Sequence, residues 1–254
     1  TKYITTFFII WSCWITRYSW YCTIIDSFFG QNSSIVIYKF VGVLSLYFCA
    51  GCPEKDMTAD VILAMQRHGI DMIEVGIPFS DPLADGPVIQ SAGTVALKNG
   101  MTLETLFGQL DAIKSQVNIP LVLMGYLNVI MHYGYERFCQ RCVECGVSGF
   151  IIPDLPFDDY LSEIKPLADR YNLRCIMMIT PETSEERIRF IDRNTDGFIY
   201  MVSSASITGA QQNFDEAKQQ YFQRINAMNL HNPRMIGFGI SNRQTLESAQ
   251  NNAA

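Results

Sequence analysis

Residues 73–87 read IEVGIPFSDPLADGP, a short apolar segment that runs directly into a loop rich in proline and aspartate. The segment is apolar throughout except for Glu74, which stands near its C-terminal end. Strands that are apolar on both sides are typical of parallel sheets covered on both faces. The polar loop then follows the C-terminal end of the strand, where α/β barrels build their active sites. We therefore predict a buried parallel strand followed by a functional loop.

The same pattern repeats along the chain from Leu44 onward, with short apolar runs followed by longer segments of helical period. The predicted strands are residues 44–48, 72–75, 121–124, 150–152, 175–179, 198–201 and 235–237. The predicted helices are residues 59–68, 103–114, 135–145, 158–171, 184–193, 216–228 and 243–249. An open doubly wound sheet would also fit this alternation, but no G-x-G-x-x-G motif follows the first strand. We predict an α/β fold of the (β/α)₈ TIM-barrel type.

The two ends of the chain depart from this pattern. Residues 1–43 contain all three tryptophans of the chain. We leave this hydrophobic and aromatic segment unassigned, with the hypothesis that it is not native coding sequence. Residues 251–254 stand where an eighth strand is due, so we predict an incomplete barrel domain over residues 44–254, with about seven βα units. An open parallel edge exposes unpaired backbone groups, so we expect a poorly stable chain that is weakly active or inactive.

Composition narrows the class of function. Hydrophobic residues make up 48% of the chain and charged residues 17%, which is ample material for a buried core. The net charge of −6 and the pI near 5.1 disfavour binding to nucleic acid or to an acidic membrane surface. Residues 3–25 are long enough to span a membrane, but Arg17 and several serines and threonines interrupt them. We predict small-molecule chemistry.

Eight cysteines are spread thinly over the chain, which is typical of a protein from a reducing compartment, so we predict a cytoplasmic location. Cys139, Cys142 and Cys145 have a spacing that resembles iron–sulfur ligation. They fall on a predicted helix, where three such positions do not converge on one cluster, so we interpret them as buried core residues. No histidine has the spacing of a metal ligand or of a catalytic triad. We predict no metal site.

Glu74 is the strongest catalytic candidate. A carboxylate at the end of an apolar strand faces the mouth or interior of a barrel, where burial raises its pKa and suits it to proton transfer near neutral pH. A structural role would need a buried basic partner, and the neighbouring strands offer no obvious one. Asp81 and Asp85 follow in the loop, and one of them is a candidate second acid. Each could instead cap a turn, and the pattern alone leaves that choice open.

Two later loops are rich in small residues. Residues 203–210 read SSASITGA after the sixth predicted strand, and residues 237–241 read GFGIS at the seventh. Small residues let backbone N–H groups approach a phosphate, and TIM barrels commonly bind phosphate beyond their last strands. The two loops, at the ends of adjacent strands, together predict an anion site.

Residues 74–87 closely resemble the signature E-[LV]-G-[VI]-P-F-S-D-P-x-A-D-G-P of the tryptophan synthase alpha subunit family. The likeness extends from about Ser45 to Ala254. It includes Gln90, YLN at residues 126–128, PDLP at 153–156, Tyr200, SITGA at 206–210 and GFGIS at 237–241. The resemblance implies a TIM-barrel lyase without cofactor, which cleaves indole-3-glycerol phosphate to indole and glyceraldehyde 3-phosphate in tryptophan biosynthesis.

The resemblance also implies individual roles. Glu74 matches the general acid–base, and Asp85 matches the carboxylate that holds the indole N–H, which leaves Asp81 a structural or interface role. The supporting positions that match are Tyr126, Tyr200 and Thr208, and the phosphate-binding backbone positions that match are Gly209 and Gly239. Residues 1–43 do not match the family's N-terminal helix, and its eighth strand is absent.

The implied partner is the tryptophan synthase beta subunit, in an alpha₂beta₂ tetramer. Two alternatives stay open. One is a stand-alone lyase that releases free indole, and the other is a non-catalytic fragment that only binds the beta subunit. Copurification with a beta subunit distinguishes the first alternative, and the presence of both Glu74 and Asp85 counts against the second.

Overall fold

The computed structural model describes residues 43–202 and 216–237 of the chain. Within these ranges seven strands form one sheet, all neighbours are parallel, and the strands follow one another in chain order. The strands are β1 (Ser45–Cys49), β2 (Met72–Gly76), β3 (Leu121–Met124), β4 (Gly149–Ile151), β5 (Arg174–Ile179), β6 (Ile199–Val202) and β7 (Arg234–Gly237). This consecutive order is that of a barrel rather than of a doubly wound sheet.

The helices lie between these strands. They are α1 (Thr58–Arg67), α2 (Pro87–Lys98), α3 (Leu103–Ile113), α4 (Leu127–Tyr133), α5 (Tyr135–Glu144), α6 (Phe157–Asp159), α7 (Lys165–Tyr171), α8 (Glu185–Asn194) and α9 (Glu216–Ala227). A 3₁₀ turn (Lys55–Met57) precedes α1, and a π-helical turn (Tyr160–Ile164) joins α6 to α7.

All seven predicted strands are present, each within one residue of its predicted bounds. Helices α2 and α4 were absent from the prediction. The predicted helix 158–171 is interrupted by the π turn, because Pro166 at the start of α7 has no N–H to continue the ladder. The predicted helix 243–249 lies outside the described residues.

Successive side chains of each strand point to opposite faces of the sheet, and this divides the core into two layers. The residues that face the helices include Ile73, Val75 and Leu123, and they form the larger cluster. The residues on the other face, among them Met72, Met124 and Ile176, form a separate cluster inside the barrel. Strands buried on both faces explain why the sequence shows continuous apolar runs.

The sheet is strongly curved, so that side chains of distant strands meet inside it. The Tyr200 hydroxyl on β6 lies 3.3 Å from Glu74 Oε2 on β2, although three strands separate these two in the sheet. A methyl group on Gly237 would collide with the Tyr200 ring, so glycine at that position makes room for the tyrosine. The predicted (β/α)₈ barrel type is confirmed, with seven parallel strands in the described ranges.

Asp192, on α8, binds the loop that precedes β7. Its carboxylate oxygens accept hydrogen bonds from the His231 N–H at 2.8 Å and from the Asn232 N–H at 2.8 Å. The Asn232 side-chain amide also donates to Asp192, and both residues are buried. One carboxylate therefore satisfies three donors of the loop between α9 and β7.

We expect Asp192→Ala to lower the free energy of unfolding by about 2–4 kcal/mol, because buried donors then lose their charged acceptor. Urea denaturation measures this effect. Asp169→Ala is the control, since Asp169 forms only an exposed ion pair with Lys165, and such pairs contribute about 0–1 kcal/mol. Equal losses in the two variants would contradict a structural role for Asp192.

Candidate active site

Glu74 lies inside the barrel near the C-terminal end of β2. It is 3% exposed, its Oε1 accepts a hydrogen bond from the Ser45 hydroxyl at 2.7 Å, and its Oε2 accepts one from the Tyr200 hydroxyl at 3.3 Å. Burial raises the pKa of the Glu74 carboxyl, and the two hydrogen bonds offset part of that rise. No lysine or arginine within the described ranges forms an ion pair with it. The carboxyl is thus held by neutral hydroxyls, as a proton-transfer group requires.

Asp85 lies at the end of the loop that follows β2, and it is half-buried. The Tyr126 hydroxyl donates to Asp85 Oδ2 at 3.2 Å and accepts from the Ala84 N–H at 3.0 Å. Burial raises the pKa of the Asp85 carboxyl, while the hydrogen bond from Tyr126 lowers it. Tyr126 follows β3, so this single hydroxyl fastens the loop after β2 to the end of the neighbouring strand.

Tyr47 lies next to Glu74 in the sheet. It stands on β1 in register with Glu74, and its hydroxyl lies against the backbone of Gly76, where an added methyl group would collide with it. Burial raises the pKa of the Tyr47 phenol well above its ordinary value, and the charges of Cys49, Asp85 and Glu74 act in the same direction. Because Asp85 is held by Tyr126, which follows β3, and Glu74 lies on the neighbouring β2, both carboxyls lie at the C-terminal ends of adjacent strands.

The loop between the two acids has its own support. The Gln90 side-chain amide donates to the Asp85 carbonyl at 2.9 Å and reaches the Pro82 carbonyl at 3.5 Å. The Phe79 ring packs against the Tyr126 ring with centroids 5.2 Å apart. Helix α2 begins at Pro87, two residues after Asp85. The position of Asp85 is thus fixed from both sides.

The structure brings together Glu74 with Tyr200 and Asp85 with Tyr126 among the predicted site residues. Three further predicted positions lie outside the described residues, namely Thr208, Gly209 and Gly239. Asp81 is exposed and accepts a hydrogen bond from the neighbouring Ser80 hydroxyl. Its surroundings are therefore unlike the half-buried surroundings of Asp85.

The cysteine run lies away from this site. Cys139 and Cys142 belong to α5, Cys145 follows directly after it, and all three are buried free thiols in the helix-facing core. Their interpretation as small core residues is confirmed. In the part of the chain that the structure describes, no group of three His, Cys, Asp or Glu side chains is arranged to hold a metal ion. Nor is any helix there long and apolar enough to cross a membrane.

Ser45 and Tyr47 were not predicted as site residues. Both lie on β1 with the side-chain parity that faces the barrel interior, two residues apart, and both pair with the β2 segment that carries Glu74. The alternation of residues along β1 indicates that both side chains face the same way. Their pairing with Glu74 depends on the register of the two strands, which sequence periodicity does not determine.

Known proteins are similar to this chain in architecture and in sequence. The family model for the tryptophan synthase alpha chain matches residues 41–254. The tryptophan synthase alpha chain of Parabacteroides distasonis is 65% identical over 208 residues, which are 82% of this chain and 81% of that protein.

Two solved structures from Pyrococcus furiosus are also similar. A mutant tryptophan synthase alpha-subunit has a TM-score of 0.76 at 32% identity, covering 84% of each chain. A chain of a tryptophan synthase complex has a TM-score of 0.73 at 33% identity, covering 82% of each chain. A buried glutamate, a second carboxylate and a consecutive parallel barrel thus occur together with this sequence likeness, and the chain belongs to the tryptophan synthase alpha chain family, whose members are lyases of tryptophan biosynthesis.

Proposed function

We propose that the chain cleaves the bond between indole C3 and the adjoining chain carbon of indole-3-glycerol phosphate, with Glu74 as the acid–base group. Glu74 first donates a proton to C3, which gives a cationic ring. The resulting carboxylate then accepts the proton of the hydroxyl on the adjoining carbon. The C–C bonding electrons return to the ring, indole leaves, and the hydroxyl carbon becomes the aldehyde of glyceraldehyde 3-phosphate.

The observation that carries this proposal is the pair of carboxyls at the C-terminal ends of the adjacent strands β2 and β3, of which Glu74 is buried. The same group must be protonated at the start of the cycle and ionised halfway through it. A carboxyl with an ordinary pKa is ionised at neutral pH and lacks that proton, whereas burial raises the pKa of Glu74. The hydroxyls of Ser45 and Tyr200 stabilise the ionised form when it arises.

Asp85 takes the complementary role in the proposal. Its carboxylate accepts the indole N–H and stabilises the positive charge that develops on the protonated ring. Tyr126 holds that carboxylate from the side of β3 through the 3.2 Å hydrogen bond. Asp85 is half-buried and Glu74 fully buried, so Asp85 is the group that more readily stays ionised while Glu74 carries the proton.

The substrate's phosphate is assigned to the later loops. Gly209 and Gly239 are proposed to offer backbone N–H groups to it, and Thr208 is proposed to help close the site. These assignments rest on sequence, since all three residues lie outside the described ranges. No cofactor enters the proposed reaction.

Single-turnover kinetics with protein in excess over indole-3-glycerol phosphate tests the reaction. Indole is measured after extraction, and glyceraldehyde 3-phosphate is measured with a coupled dehydrogenase. Equal amounts of the two products are expected. If neither product forms, even after addition of the beta subunit from Parabacteroides distasonis, the proposed reaction is wrong.

Ser45 offers a test through pH. Its hydroxyl lowers the pKa of Glu74, so Ser45→Ala is expected to raise that pKa further. Because protonated Glu74 starts the reaction, the alkaline limb of kcat/KM against pH should move to higher pH. A shift to lower pH, or none, would contradict the assigned protonation state. Ser80→Ala is the control, since the Ser80 hydroxyl donates to Asp81 at the surface.

The proposed partner is a tryptophan synthase beta subunit, in an alpha₂beta₂ tetramer. Leu83, in the loop between the two acids, is 88% exposed, and Val88, at the start of α2, is 69% exposed. Large exposed apolar patches mark surfaces that bind other proteins, and these two side chains are proposed to belong to such a patch. The similar Pyrococcus furiosus chain comes from a tryptophan synthase complex.

The proposed location is the cytoplasm. The free thiols of the described core fit its reducing conditions.

Sedimentation with the Parabacteroides distasonis beta subunit tests this partnership. A species with the mass of two chains of each kind, together with faster indole release, is expected. Unchanged sedimentation combined with unchanged activity would instead favour a stand-alone lyase. Binding without any cleavage would favour a non-catalytic partner.

A further inference from the structure

Tyr47 has a hydroxyl whose position is not explained by the packing of the barrel. The ring packs against the cluster inside the barrel, but the oxygen lies against the backbone of Gly76, the last residue of β2. The hydroxyls of Tyr126 and Tyr200 are hydrogen-bonded to carboxylates. In the ranges 43–202 and 216–237, by contrast, no hydrogen bond engages the Tyr47 hydroxyl.

The surroundings of this hydroxyl are those of a reaction site. Tyr47 is only partly buried and is in register with Glu74, while its oxygen lies at the level of Gly76, two residues further along β2. The negative charge of Asp85 also acts on it. A hydroxyl that lacks a protein partner inside a site retains its donor for a ligand.

We propose that the Tyr47 hydroxyl donates a hydrogen bond to the substrate oxygen whose proton passes to Glu74. This oxygen begins as the hydroxyl on the carbon next to the ring and ends as the aldehyde oxygen. Negative charge develops on it as its proton leaves and before the C–C bond has fully broken. A fixed neutral donor stabilises that charge. The phenol ceases to donate only if it ionises.

The chemistry of the phenol fits this role. The group stays protonated throughout the neutral range, because burial and then the nearby charges raise its pKa. It therefore donates a hydrogen bond without competing with Glu74 for the proton. Gly76 permits the arrangement, since any side chain at that position would displace the hydroxyl. This inference rests on the proposed cleavage reaction and adds a third group to its site.

Tyr47→Phe tests the inference, because it removes the oxygen and keeps the ring. We expect kcat for indole release to fall about 10²-fold, the lower end of the range for loss of one charge-stabilising donor. The affinity for 3-(indol-3-yl)propyl phosphate, which lacks both chain hydroxyls, should be unchanged by calorimetry. The analogue offers no oxygen to Tyr47, so its binding reports ring packing alone.

The possible results separate the explanations. A Tyr47→Phe variant with kcat within about threefold of the parent chain would overturn the inference. So would a variant that loses analogue affinity by the same factor as kcat/KM, since packing would then explain both. If the parent chain releases no indole at all, the proposed reaction fails, and the role of Tyr47 fails with it. If the parent chain cleaves the substrate and Tyr47→Phe cleaves it equally well, only the role of Tyr47 fails.

Discussion

Replacement of Glu74 by glutamine is expected to slow indole release by about 10²–10⁴-fold, the usual contribution of a positioned acid–base group. The amide has the size of the carboxyl and still hydrogen-bonds the hydroxyls of Ser45 and Tyr200, so the site keeps its shape. It neither delivers a proton to the ring nor accepts one from the substrate hydroxyl. Single-turnover measurements give the rate constant of the chemical step directly.

The Glu74→Gln variant is expected to become more stable than the parent chain as the pH rises. The folded state raises the pKa of Glu74 above its value in the unfolded chain. Between these two pKa values the folded state binds more protons than the unfolded state, so the parent chain loses stability as the pH rises through this interval. Glutamine does not ionise, so the variant does not lose stability in this way. The Tm of Glu74→Gln should equal that of the parent chain in acid and exceed it at alkaline pH.

A control at the other end of β2 separates chemistry from structure. Asp71 accepts a hydrogen bond from the Leu44 N–H at 2.8 Å, and it precedes the strand, away from its C-terminal end. Asp71→Asn should leave the rate of indole release within about twofold of the parent chain. A Glu74→Gln variant that cleaves the substrate as fast as Asp71→Asn would contradict the role given to Glu74.

Replacement of Asp85 by asparagine is expected to lower kcat by about 10²–10³-fold, as for the loss of one group that stabilises developing charge. Asparagine keeps an oxygen that accepts from the Tyr126 hydroxyl, so the loop retains its attachment. The negative charge opposite the cationic ring is lost. Since this charge matters most in the transition state, kcat should fall far more than KM rises.

Asp81 is the matched control for this variant. It lies in the same loop, four residues before Asp85, and it is exposed. Asp81→Asn should retain kcat. Comparable losses of kcat in the two variants would show that the loop needs negative charge in general, without a specific role for Asp85.

The fold was largely predictable from the sequence. Each strand is an apolar run between polar segments, and burial on both faces of a parallel sheet produces that pattern directly. Helix α2 was missed because it is rich in β-branched residues and contains Gly93, which weakens its helical signal. The π turn before α7 was missed because helical period does not show where Pro166 interrupts the hydrogen-bond ladder.

The site was predictable only in part. Glu74 was recognisable as a lone acid in an apolar strand. The choice between Asp81 and Asp85 came from family resemblance, because it depends on Tyr126, more than forty residues further along the chain. Ser45 and Tyr47 were missed for a related reason, since strand register brings them to Glu74. Contacts between distant segments are set by tertiary packing, and local patterns do not contain them.

The central claim is that Glu74 and Asp85 act on one substrate molecule in one space. A crystal structure of the Glu74→Gln variant with indole-3-glycerol phosphate tests it most directly. The side chain at position 74 should lie within hydrogen-bond distance, roughly 2.6–3.2 Å, of the hydroxyl next to the ring. The Asp85 carboxylate should lie at a similar distance from the indole N–H. A substrate bound with its ring out of reach of either side chain would contradict the account.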